Sequence, residues 1–119
     1  MPRSVLVVDD DACFRQLAAR ILSSWGHAVV GQAESIEDAL ALARELRPDT
    51  ALVDVGLPDG DGFMLAQRLR SLPWPMRVVL ISADADRTNA PAARRAGACG
   101  FLAKDELSGH ELRRLIEEG

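Results

Sequence analysis

Five short runs of consecutive apolar residues, each followed by a stretch of helical spacing, constrain this chain most strongly. Val5-Leu6-Val7-Val8 shows no polar alternation, as a strand buried on both faces requires. Ala28-Val29-Val30, Thr50-Ala51-Leu52-Val53, Arg77-Val78-Val79-Leu80-Ile81 and Cys99-Gly100-Phe101-Leu102-Ala103 read as four more strands. Over 11–25, Phe14, Leu17, Ala18, Ile21, Leu22 and Trp25 recur on one helical face, with Gly26 placed as its cap. Ser35-Ile36-Glu37-Asp38 resembles a capping box, opening a helix that carries Ile36, Ala39, Leu40, Ala43 and Leu46 inward and stops before Pro48. A third helix is expected over about 63–71, ahead of Pro73-Trp74-Pro75. Pro91 and the small residues Ala92, Ala93 and Ala96 predict a short, loosely packed fourth helix starting near 89–91, with faster hydrogen exchange over 86–96 than in the strands. Ser108-Gly109-His110-Glu111 reads as another capping box, followed by Leu112, Leu115 and Ile116 on one face. With no linker, repeat or low-complexity stretch, the pattern predicts one α/β domain over 1–119. Its parallel sheet would be covered on both faces.

Composition removes several function classes. The net charge of −4 leaves no surplus of cations to neutralise phosphates, which argues against a dedicated nucleic-acid binder. No apolar run approaches the roughly 20 residues of a membrane span. Met1-Pro2-Arg3-Ser4 runs directly into the first strand, so a cytoplasmic location is expected. Cys13 and Cys99 are too few for a disulfide framework and read as inert small apolar residues. His27 and His110 lie in unrelated segments, which predicts no paired base or metal chemistry. Trp25 is expected in the core and Trp74 in a partly exposed loop.

In an open parallel α/β sheet, ligands bind outside the carboxyl ends of the strands. Asp9, Asp10 and Asp11 follow the first strand, Asp54 the third, Ser82 the fourth and Lys104 the fifth. Lys104 is the lone lysine among 14 cationic residues. Carboxylates gathered at one rim repel each other and raise each other's pKa unless a cation joins them. Oxygen ligands at a solvent-open edge suit Mg²⁺ or Mn²⁺. A carboxylate beside such a metal, with a hydroxyl and an ammonium opposite, suits phosphoryl transfer onto the carboxylate. Asp11 reads instead as the cap of the first helix. Asp59-Gly60-Asp61-Gly62 lacks the sixth-position glycine of a calcium loop and reads as the turn that starts the third helix.

Four strings together resemble the receiver domains of two-component response regulators, over nearly the whole chain. They are Val5-Leu6-Val7-Val8-Asp9-Asp10-Asp11, Leu52-Val53-Asp54-Val55-Gly56-Leu57-Pro58-Asp59-Gly60-Asp61-Gly62, Val78-Val79-Leu80-Ile81-Ser82-Ala83 and Gly97-Ala98-Cys99-Gly100-Phe101-Leu102-Ala103-Lys104. The resemblance implies a flavodoxin-like doubly wound fold with strand order 2-1-3-4-5. It implies that Asp54 accepts a phosphoryl group from a sensor histidine kinase. Asp10 would hold the divalent cation directly, Asp9 largely through water, and the Gly56 carbonyl would complete the protein ligands. Ser82 and Lys104 would contact the phosphoryl oxygens. The output face would comprise the fourth helix, fifth strand and fifth helix, acting on a downstream protein or a missing output domain, with a homodimer as one outcome. Such a receiver promotes its own phosphotransfer without being a classical enzyme.

Asp105 follows Lys104 where the family often has proline, so a trans bond is expected there. Phe101 stands at the position whose aromatic ring reports phosphorylation. Lacking a hydroxyl, it is expected to favour an inward rotamer even before phosphorylation. Gly56 occupies the position where a haloacid-dehalogenase-type enzyme needs its second aspartate. Three acids after the first strand would repel a flavin phosphate. A flavodoxin-like interaction module working without phosphorylation is the alternative, and it would normally have lost one of the four groups.

Overall fold

A computed structural model describes residues 2–83 and 90–118. Strands β1 (Ser4–Val8), β2 (Ala28–Ala33), β3 (Thr50–Asp54), β4 (Arg77–Ser82) and β5 (Gly100–Ala103) form one parallel sheet in the order β2-β1-β3-β4-β5. Helices α1 (Ala12–Ser24), α2 (Ile36–Leu46), α3 (Gly62–Arg70), α4 (Ala90–Arg95) and α5 (His110–Glu117) connect or follow the strands. This is the flavodoxin-like order. Thr50 pairs with both Val5 and Arg77, so the central strands are in step and their carboxyl ends finish together.

The period of two along each strand sends alternate residues to opposite faces. Leu6, Val8, Val53 and Leu80 pack with Leu40, Leu65 and Leu69 in one core cluster. Val5, Val7, Leu52, Val79 and Ile81 pack with Leu22, Leu112 and Ile116 in the other. Leu6, Leu52 and Leu80 are wholly buried, each worth about 1.5–3 kcal/mol of apolar transfer.

Several expectations need correction. Leu17 is 48% exposed and Leu46 39% exposed, although both were expected inward. Each sits at the margin of its helix's apolar stripe, and Leu46 lies over Gly31 on the edge strand β2. β2 is longer than its apolar run, because Gly31, Gln32 and Ala33 continue the ladder opposite Leu6, Val7 and Val8. The expected loop at 56–62 contains a two-residue hairpin, Gly56–Leu57 against Gly60–Asp61. Ser108 does not cap α5; Gly109 stands at that position with no side-chain cap. The Glu106 carboxylate instead accepts the Ala103 N–H (3.1 Å), closing a 3₁₀ turn over Lys104–Glu106. Cys13 and Cys99 are both exposed rather than packed.

α4 is short, as its composition predicts, yet Ala93 and Ala96 are buried. Of the 86–96 stretch, residues 86–89 lie outside those described. Peptide bonds among the described residues are all trans, including the one after Lys104. Buried His27 is held by hydrogen bonds: its Nδ1 accepts the Arg3 N–H (3.0 Å) and its Nε2 lies 3.0 Å from Glu117 Oε2. That arrangement selects the tautomer with the proton on Nε2, tying the first turn of the sheet to the end of α5. Trp74 donates to the Pro48 carbonyl (3.2 Å) beneath the Arg47 guanidinium, half-buried as expected.

Gly62 begins α3 directly against the end of β3. A Cβ there would stand 2.4 Å from the Asp54 carbonyl oxygen and 2.7 Å from Val55 Cα, both backbone atoms that cannot swing aside. Gly62→Ala is therefore expected to lower stability by about 1–3 kcal/mol, read as a lower urea midpoint. An unchanged midpoint would contradict this packing.

Candidate functional site

The carboxyl ends of β1, β3, β4 and β5 bring the chemistry to one edge of the sheet. Asp9 follows β1 and is fully buried. Its N–H donates to the Ala33 carbonyl (3.0 Å), and its Oδ1 accepts the Asp11 N–H (2.8 Å). Its Oδ2 faces the Lys104 ammonium at 2.6 Å, a charge contact without the alignment of a hydrogen bond. Asp10 is exposed beside it. Asp11 caps α1, accepting from Cys13 and Phe14 N–H groups at 2.9 and 3.4 Å. The capping expectation for Asp11 therefore holds.

Asp54 ends β3 and is buried. Its Oδ1 accepts the Gly56 N–H (3.3 Å), and its Oδ2 lies 3.4 Å from Lys104 Nζ. Ser82 ends β4, also buried, on the strand beside Asp54. Lys104 follows β5 immediately, so one ammonium spans the acids of β1 and β3. Gly56, itself exposed, lies two residues past Asp54 in the first arm of the hairpin.

The electrostatics follow from burial and crowding. Burial pushes the Asp54 carboxyl above the usual carboxylate range, and the charge of Asp9 adds to that. The Gly56 N–H and Lys104 oppose both. Burial alone would lower the Lys104 ammonium, but its contact with Asp9 and the charges of Asp54 and Asp9 outweigh it and raise the pKa. Three carboxylates with one ammonium leave the rim at −2, half of the chain's −4.

The donor set fits a hard divalent cation. Asp9, Asp10 and Asp54 each offer an oxygen, and these lie within 4.8 Å of one another. Oxygen ligands at a half-open edge are those Mg²⁺ or Mn²⁺ prefers.

Two neighbours of the site carry no local signal in the sequence. Asp59 was read as part of the turn into the third helix, and Asp61 performs that task, accepting the Met64 N–H at 2.7 Å. Asp59 instead caps α2, accepting the Ile36 and Glu37 N–H groups at 2.9 and 3.2 Å. Those hydrogen bonds, the Ile36 one foremost, hold its carboxyl below the usual range. Phe14, read only as a core residue, places its ring 4.6 Å from Lys104 Nζ. Phe101 is half-buried, stacked on Phe63 with centroids 6.5 Å apart and planes within 6°.

The raised carboxyl has a thermodynamic consequence. Folded Asp54 holds its proton more tightly than unfolded Asp54, so the folded state binds more protons between the two pKa values. Stability then falls as pH rises through that window. In metal-free protein, Asp54→Asn is therefore expected to raise Tm at neutral pH, with the gain closing once pH drops below the ordinary carboxylate range. A lower Tm for Asp54→Asn at neutral pH would contradict the charge balance described.

Comparison with known proteins bears on the same edge. A family profile described as the response regulator receiver domain matches residues 5–117. NarL of Mycobacterium tuberculosis, described as a transcriptional regulatory protein, is 42% identical over 102 residues, 85% of this chain and 47% of that protein. BvgA of Bordetella pertussis, described as a transcription regulator, is 32% identical over 106 residues, 89% of this chain and 51% of that protein. The chain thus spans about half the length of these relatives. The solved signal receiver domain of Mycobacterium tuberculosis NarL superposes with a TM-score of 0.84 at 37% identity, covering 98% of each chain. A Burkholderia pseudomallei response regulator, solved with a phosphorylated aspartic acid and a calcium ion, superposes at 0.84 with 28% identity over 97% of this chain and 66% of that one.

Proposed function

The chain belongs to the response regulator receiver family, and from that premise we propose that Asp54 is its phosphoacceptor and that a sensor histidine kinase is the donor. The observation that carries this reading is the Lys104 ammonium facing Asp9 and Asp54 together, at the edge where Ser82 ends the adjacent strand. The Burkholderia regulator with its phosphorylated aspartic acid supports the same chemistry by similarity.

The transfer is an in-line displacement. An Asp54 carboxylate oxygen attacks phosphorus, the P–N bond to the donor imidazole breaks, and the imidazole leaves with the electron pair and takes up a proton. The Gly56 N–H orients the acceptor carboxylate through its Oδ1. Lys104 neutralises charge gathering on the phosphoryl oxygens, and the Ser82 hydroxyl donates to one of them. Asp9, Asp10, Asp54 and the Gly56 carbonyl are the groups that would hold Mg²⁺ or Mn²⁺. When bound, the ion supplies further neutralisation of phosphoryl charge.

The product adds about −1.5 to −2 charge at neutral pH where Lys104 and Ser82 wait. Drawing Ser82 and Lys104 toward that charge shifts the ends of β4 and β5. Phe101 on β5, already stacked on Phe63, is the side chain that passes the shift outward. The face formed by α4, β5 and α5 then engages a downstream protein or an output domain outside this chain, or pairs with a second copy. Nucleic-acid contact by this domain is not part of the reading, and the receiver acts as a signalling part rather than a classical enzyme. Among the described residues, no helix is long and apolar enough to cross a membrane.

Incubation with Mg²⁺ and acetyl phosphate, read by intact mass, is expected to add one phosphoryl group to the wild type and none to Asp54→Asn. Chelating the metal should suppress the adduct. Lys104→Ala should slow its formation by about 100-fold. An adduct that survives in Asp54→Asn at wild-type yield would overturn the assignment of the acceptor.

A further inference from the structure

The Lys104 ammonium has a third neighbour besides Asp9 and Asp54. The Phe14 ring lies 4.6 Å from Nζ, within the range of a cation–π contact. Phe14 belongs to the first turn of α1, whose start the Asp11 carboxylate fixes through the Cys13 and Phe14 N–H groups. Its ring packs against the core cluster that contains Leu22, Leu112 and Ile116. One part of the ring is therefore anchored in the α1–α5 layer while the ammonium sits against it.

The Lys104 stem starts from the 3₁₀ turn after β5 and carries four rotatable bonds. Its ammonium is held by two carboxylates that are also the cation's ligands in the reading above. Once those oxygens turn to a divalent ion, both of the ammonium's anionic partners are shared. Among the described residues, the Phe14 ring is a neighbour whose grip does not depend on those carboxylates.

We propose that Phe14 is a positioning residue for phosphoryl transfer: its ring holds the Lys104 ammonium at the acceptor edge while Asp9 and Asp54 are engaged by the metal. The inference rests on Asp54 being the phosphoacceptor. It makes no bond and alters no balance in the transfer; it sets how often Lys104 is in place when the phosphoryl group arrives. A face of negative quadrupole is what the task needs, so packing volume alone does not substitute for it.

The test separates those two properties. Phe14 is replaced by phenylalanines carrying one, two and three ring fluorines, which drain the quadrupole with little change of shape, and separately by Phe14→Leu. The rate of adduct formation with acetyl phosphate and Mg²⁺ is measured for each. Ring-current shifts of the Lys104 ε-methylene protons are measured by NMR in the metal-free protein.

The rate is expected to fall stepwise with each fluorine and by about fivefold in Phe14→Leu, the rate equivalent of a modest cation–π contact. The upfield ε-proton shift should vanish in Phe14→Leu. A rate that stays flat across the fluorinated series, with the wild type phosphorylated on Asp54, would overturn the role of Phe14 alone. Absence of any adduct on the wild type would overturn the phosphoacceptor reading, and this inference with it.

Discussion

The ion cluster at the sheet edge is the constraint around which the rest of the molecule is arranged. Asp9 is fully buried, Asp54 nearly so, and a single ammonium answers both. Burying one charge is expensive unless it is paired, and burying two like charges side by side is more so. The parallel sheet accomplishes the gathering by ending three strands in step, so that groups far apart in sequence meet at its carboxyl edge. Carboxylates perturbed in this way cluster at functional sites, which accords with the proposed site for a divalent cation and a phosphoryl group.

Around that cluster the fold invests in holding backbone rather than side chains. Gly62 lets α3 start against the Asp54 carbonyl, and Asp61 caps that helix from the hairpin that follows Asp54. Asp59, in the same hairpin, reaches across to cap α2. The segment directly after Asp54 is thus tied to two helices. On the proposed reading, charge added at Asp54 would meet that tied segment on one side and the β4 and β5 ends on the other. The proposed direction of the response, toward Ser82, Lys104 and Phe101, would follow from which side is pinned.

How much of this was legible in the sequence depended on whether a signal was local. The five apolar runs marked the strands, and topology alone then carried Asp9, Asp10, Asp54, Ser82 and Lys104 to one edge. Asp11 was readable as a cap because its donors are two and three residues away. Pairings across long separations left no trace. His27 meets Glu117 across 90 positions, Asp59 meets Ile36 across 23, and Phe14 meets Lys104 only because α1 starts and β5 ends at the same rim. Leu17 and Leu46 failed for another reason. They lie at the margins of helical stripes, where periodicity does not decide between core and solvent.

The proposed reading selects Asp54, one carboxylate among eleven aspartates, as the group that changes state. An acyl phosphate differs from every other phosphorylated side chain in that borohydride reduces it, converting the aspartyl residue to homoserine. Phosphorylating the protein with Mg²⁺ and a small phosphodonor, reducing it and sequencing the peptides is therefore the most direct measurement of the central claim. The account predicts homoserine at position 54 and nowhere else. Homoserine at Asp9 or Asp10 instead, or none at all in protein shown to carry phosphate, would contradict it.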